Sequence, residues 1–251
     1  MSLRLLRGYF VFSALVLASL IIGCDEPKAS KTTTAPAAAG KVEHAGVAIG
    51  RVTFVGTRPR LPALAVSADA HCAGRHPDGV PDESVVISDD GSLANVFVYL
   101  KDAPASDGAG REPALIDQVN CQYMPHAVAM QVNQPLRVKS SDPIFHNVHV
   151  QSIENPAMNL AEVQPGEQTV KFAKPEMMRV RCDVHPWMKA IFGVFDNPWF
   201  AVTGADGKFR IDNIPPGTYT LTAWHERFGE KTQTVRIDAD GKVTQDFVYA
   251  P

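Results

Sequence analysis

Residues 177–195 read MMRVRCDVHPWMKAIFGVF, two apolar runs joined by a loop that carries a thiol, an imidazole and a thioether. The flanks, MMRVRC (177–182) and KAIFGVF (189–195), alternate as strands do, so CDVHPWM (182–188) is a strand-to-strand connection. The same pattern runs outward in both directions. VAIGRVTFVG (47–56), ANVFVYL (94–100), HAVAMQV (126–132), LRVKSS (136–141), NVHVQS (147–152) and QTVKFA (168–173) precede the loop. GKFRI (207–211), TYTLTAW (218–224), TQTVRI (232–237) and TQDFVYA (244–250) follow it. Turn clusters such as DDG (89–91), NPW (197–199) and PPG (215–217) separate these runs, and no segment keeps a helical period. The expected class is all-β, built as two β-sandwiches.

The tail TGADGKFRIDNIPPGTYTLTAWHERFGEKTQTVRI (203–237) resembles the regulatory domain of D-type carboxypeptidases, a transthyretin-like sandwich. That family opens with a Gly-x-Val strand and a second hydrophobic strand. Here GRVTF (50–54) and ANVFVYL (94–100) have those characters but lie about a hundred residues upstream of the tail. The expectation is a sandwich interrupted by a second domain: 47–111 as its first part, 112–196 as the insert and 197–251 as its second part. The competing arrangement is two consecutive domains, with 47–104 as an extension of the central one.

A blue-copper site needs one Cys thiolate, two neutral imidazoles and a weakly bound thioether, with three of the four supplied by one short loop. In this chain Cys182 is followed at +3 by His185 and at +6 by Met188, and SDPIFHNVHV (141–150) offers an upstream imidazole. Together these motifs resemble the cupredoxins, the amicyanin-like members most closely, over about a third of the chain. Carried over by position, the resemblance implies one type 1 copper ion held by His146, Cys182, His185 and Met188. It implies that Asn147 hydrogen-bonds across to the Cys loop, with Asp183 as recipient, and that a Greek-key sandwich holds the site. Zinc is the rival metal, and the thioether argues against it. His149, three residues from His146 on a strand, is expected to face away from the site. His126 and His225 have no partner that can be named, and His44, His71 and His76 lie in polar stretches.

Arg4 and Arg7, an uncharged run from Gly8 to Ile22 and Ile21-Ile22-Gly23-Cys24 resemble a bacterial lipoprotein signal. The expectation is a leader at 1–23, lipid on Cys24, retention at the inner membrane favoured by Asp25, and a flexible tether over 24–46. If Cys24 carries lipid and Cys182 binds metal, Cys72 and Cys121 remain. In an oxidising compartment their economical use is a disulfide; a second metal site, from Cys121 with His126 or from Cys72 with His71 and His76, is the alternative. The formal charge of −3 and the lack of a Lys/Arg block argue against nucleic acid.

The function expected is a membrane-tethered periplasmic carrier of single electrons, not an enzyme, since neither a general base nor an open coordination position is visible. Electrons are expected to pass through His185, rimmed by Pro186 and Trp187, to a transient cytochrome or dehydrogenase partner. Copper storage or delivery, and a surface interaction module with structural copper, are the other readings.

Overall fold

The computed structural model describes residues 43–66, 69–162 and 165–251. The leader at 1–23, Cys24, Asp25 and all but the last residues of the 24–46 tether lie outside the described residues. Among the described residues the architecture is nearly all-β, with one short helix.

In chain order the elements begin with β1 (Gly46–Phe54), α1 (Ala70–Arg75) and β2 (Phe97–Leu100). A block of nine strands follows: β3 (Ala114–Val119), β4 (Gln122–Met124), β5 (Ala127–Gln131), β6 (Leu136–Ser140), β7 (His146–Gln151), β8 (Met158–Glu162), β9 (Gly166–Val170), β10 (Glu176–Arg181) and β11 (Lys189–Phe195). The chain closes with β12 (Phe200–Val202), β13 (Lys208–Ile214), β14 (Gly217–His225), β15 (Gly229–Ile237), β16 (Lys242–Thr244) and β17 (Phe247–Tyr249).

Pairing sorts these strands into two sandwiches. β1 pairs with β13, β16 and β17, and β2 lies between β12 and β14, with β15 beyond β14. Strands from both ends of the chain therefore share the same two sheets, and the block β3–β11 is inserted between them. The insert has its own sheets, ordered β5-β11-β10-β7-β8 and β4-β3-β6-β9. Alternation explains both cores: every second residue turns inward, as Met178, Val180 and Val148, Val150 do in the insert and Leu221, Ala223 do in the host.

The two sandwiches abut through a third apolar cluster. Phe97 of β2 meets Ala127, Ile191 and Phe195 on the outward face of the insert's larger sheet. Gly193 permits this approach: a Cβ there would lie 2.8 Å from the Phe97 ring. His126 and Glu226 add a hydrogen bond across the same boundary, Nε2 to Oε1 at 2.5 Å.

The expected boundary at 111 is displaced for one segment. Val66, Cys72 and Val80 are buried in the core of the insert, although they precede β2 in sequence. This strap, described over 64–66 and 69–80, carries α1, whose N-cap Asp69 accepts from the His71 and Cys72 amides. Six residues are too few to show a helical period, so α1 is silent in the sequence pattern. Cys72 and Cys121 are joined by a disulfide with Cα atoms 5.8 Å apart, which fastens the strap to the β3–β4 turn.

Candidate metal centre

The connection from β10 to β11 closes on itself: the Met188 amide donates to the His185 carbonyl (2.9 Å) and the Cys182 amide to the Met188 carbonyl (3.2 Å). A loop tied this way turns all three donor side chains inward. Cys182, His185 and Met188 are 2%, 4% and 1% exposed. His146, the first residue of β7, is fully buried beneath the same loop. Its Nδ1 lies 2.9 Å from His185 Nδ1, and the Cys182 sulfur lies 3.6 Å from His185 Nδ1. Sγ and one nitrogen from each ring all fall within 4.8 Å of one another. Burial pushes both imidazoles below their usual pKa, and His146 depresses His185 further. Each ring is thus biased to the neutral form that has a lone pair to give. One thiol and two imidazoles converging in a buried pocket, on a loop that also buries Met188, fit a copper ion held in both of its oxidation states.

The residues around the donors hold them in place. Asn147 accepts the Asp183 amide (2.7 Å) and the Cys182 thiol (3.2 Å) on its carbonyl oxygen, and its amide donates to the Asp183 carboxylate (2.8 Å). This one side chain links β7 to the ligand loop. The His149 imidazole, with the Asn147 and Asn159 amides, holds the Asp183 carboxyl down at about 2. His149 therefore sits on the outer side of the sheet, on Asp183, and takes no place beside His146.

Asp142 is a functional residue that sequence reasoning did not assign. Its Oδ2 lies 3.1 Å from His146 Nε2, so it can orient the ring and strengthen the other nitrogen as a donor to metal. The same carboxylate accepts the Asn120 and Cys121 amides at 2.8 and 2.7 Å. Those two residues form a two-residue hairpin turn with φ of 55° and 56°, a left-handed conformation that Cys rarely adopts. An acid four residues before a His in the tight segment SDPIFH was the available signal.

Trp187 differs from the expectation for the port. It is 7% exposed and faces inward, because its indole N–H finds a buried acceptor in the Cys121 carbonyl (2.9 Å). The exposed apolar groups around the loop are instead Pro186, Val184 and Phe145, the last two 43% and 38% exposed. Cys121, Asp142 and His146 also cluster, but the Cys121 sulfur is committed to the disulfide. His126 joins no cysteine: its two ring nitrogens face the Lys189 carbonyl and Glu226. His225 is stacked on Phe228 in the host core, where burial lowers it to about 4. His71 accepts from the Arg75 guanidinium, and His76 bonds the Asn120 carbonyl.

The carboxypeptidase regulatory-like domain model matches residues 196–250. The match lies on β12 to β17, the C-terminal strands of the host sandwich. In this segment the Tyr219 hydroxyl donates back to the Pro215 carbonyl (2.9 Å), closing the PPG corner quoted from the sequence. Among solved structures, a mutant amicyanin in its Cu(I) state is 14% identical, with 39% of this chain and 97% of that chain covered at a TM-score of 0.30. A purple cupredoxin from Nitrosopumilus maritimus is 16% identical, with coverages of 33% and 97% and a TM-score of 0.28. A copper-containing nitrite reductase from Thermus scotoductus is 18% identical at a TM-score of 0.32; the match covers 35% of this chain and 23% of the reductase. Scores this low leave the site to rest on the chain's own side chains. No curated protein matches the chain by sequence.

Proposed function

We propose that the inserted sandwich holds one copper ion through His146, Cys182, His185 and Met188 and carries single electrons, tethered by lipid on Cys24 to the periplasmic side of a membrane. The observation that supports it most is the convergence of two imidazole Nδ1 atoms and a thiol sulfur in a buried pocket. When bound, copper supplies a one-electron couple between Cu(I) and Cu(II). The protein's own part is rigidity. Asp142 fixes His146, Asn147 fixes the ligand loop, and Trp187 anchors that loop on Cys121. Ligands at most 4% exposed suit retention of the metal better than its release, which favours a carrier over a storage or delivery protein.

The exposed Val184 and Pro186 flank His185 in sequence and the exposed Phe145 precedes His146, whose ring meets that of His185, and this apolar rim is the proposed electron port. It suits a brief contact of less than about 1,200 Å². Replacing Pro186 by Lys is expected to preserve the visible spectrum and to slow electron self-exchange between oxidised and reduced protein about tenfold, since two facing ports would each carry a charge. NMR line broadening in mixed oxidation states measures this. An unchanged rate, with a change produced instead by a charge placed far from the loop, would locate the port elsewhere.

A further inference from the structure

The outward face of the insert's larger sheet carries a second feature. Arg181 stands opposite Lys189 on β11 and opposite His149 on β7, and Arg179 stands opposite Gln151. With Val180, Val150 and Ala190 turned into the core, these basic side chains share the solvent side. Like charges directly opposite one another weaken a strand pair, so Arg181 against Lys189 is not explained by folding. Where the regulatory-like domain abuts this sheet, a groove of about 360 Å³ opens, with Arg179, Arg181, Lys189 and Arg227 among its lining residues.

The acids beside these cations are Asp82, Glu226 and Asp183. Asp82 is bonded to the Ser84 amide and Glu226 to His126, and Asp183 lies 3.2 Å from Arg181. Among the described residues Arg179, Lys189 and Arg227 make no side-chain hydrogen bond or close ion pair, and Lys189 and Arg227 share the field of the one carboxylate Asp82. Four cations against the two acids Asp82 and Glu226 thus line one groove, in a chain whose formal net charge is −3.

We infer that this two-module basic face is where an acidic protein docks, an inference that rests on the electron-carrier reading because that protein is the redox partner. Position supports it. Arg181 immediately precedes Cys182 and Lys189 immediately follows Met188, so a partner on this face stands at the root of the ligand loop. Distribution favours a protein over a compact anion: rows two residues apart on a strand are separated by about 6.6 Å, and Arg227 comes from the other module. The cations form a spread surface and do not converge on one point. Opposite charge would speed encounter and set orientation, while the apolar rim at His185 makes the close contact.

The test uses an oligoglutamate peptide as probe on the full chain, followed by NMR amide shifts with and without copper. Shifts are expected at Arg179, Arg181, Lys189 and Arg227, absent with oligolysine and fading with added salt. The double variant Arg179→Glu, Arg227→Glu is expected to weaken peptide binding by about tenfold or more while leaving the copper spectrum unchanged. Because the shifts can be read on the metal-free chain, a failed copper reading does not obscure the result. Unperturbed amides on this face, equal binding by the variant, or tighter saturation by pyrophosphate than by the peptide would each overturn the proposal, the last in favour of a compact-anion site.

Discussion

Cys182→Ser is expected to abolish the intense visible absorption of the copper-loaded protein and to leave the fold standing. The band arises from charge transfer out of the thiolate, and Cys182 is the sole free cysteine among the described residues. Serine is nearly isosteric, and its hydroxyl can take over the bond that the thiol makes to Asn147 Oδ1. The Cys182 amide keeps its bond to the Met188 carbonyl, so the loop still closes. Stability of the metal-free variant should therefore change by about 1 kcal/mol or less, the size of one exchanged hydrogen bond. Absorption spectra with copper, and denaturant titration without it, separate the two effects. An intense band surviving in the variant would mean that another group supplies the charge transfer.

The second large effect is expected from Cys72→Ala with Cys121→Ala. The bridge closes a loop spanning 49 residues of sequence separation. Loop-closure entropy for that length corresponds to about 4 kcal/mol of stability. For a chain of this size the loss amounts to roughly 8–16 °C in Tm. The consequence extends to the metal centre, because the Asn120–Cys121 turn is where several supports meet. His76 bonds the Asn120 carbonyl, Asp142 holds both amides of the turn and also His146, and Trp187 donates to the Cys121 carbonyl. Freed of the strap, the turn would hold His146 less firmly, and the copper spectrum should broaden. Calorimetry of the metal-free double variant checks the stability; a loss of under about 1 kcal/mol would show that the strap is held by its apolar contacts alone.

Much of this was legible in the chain because strand alternation is a local property. The run KAIFGVF and its partner MMRVRC both fold as read, and GRVTF and ANVFVYL pair with strands of the tail despite the distance between them. The proposed donors His146, Cys182, His185 and Met188, with Asn147 and Asp183 beside them, could be named because their spacing and identities are local too, and the structure brings the first three within 4.8 Å of one another. What was not legible depends on contacts between distant residues. The strap has no period, and its burial follows from three apolar side chains and a bond from Cys72 to Cys121. Trp187 reads as a rim residue until the Cys121 carbonyl is seen beneath it. Asp142 gains its role only when the β3–β4 turn folds over it, and His126 finds Glu226 a hundred residues away. β4 and β12, three residues each, are too short to display alternation.

In the proposed reading the basic groove and the apolar rim divide recognition from transfer. The cations at Arg179, Lys189 and Arg227 act over a Debye length and tune encounter, whereas Pro186, Val184 and Phe145 act only on contact. Salt should therefore alter the rate of association with a partner, while rim substitutions should alter transfer within the encounter complex.

The most direct test of the central claim is titration of the metal-free protein with Cu(II), followed by optical and electron paramagnetic resonance spectra through a cycle of reduction and reoxidation. The account predicts that an intense visible band saturates at one copper per chain, bleaches on reduction by ascorbate and returns in full on reoxidation. A protein that stays colourless with Cu(II) bound, or that binds zinc through His146, Cys182 and His185 and excludes copper, would contradict it.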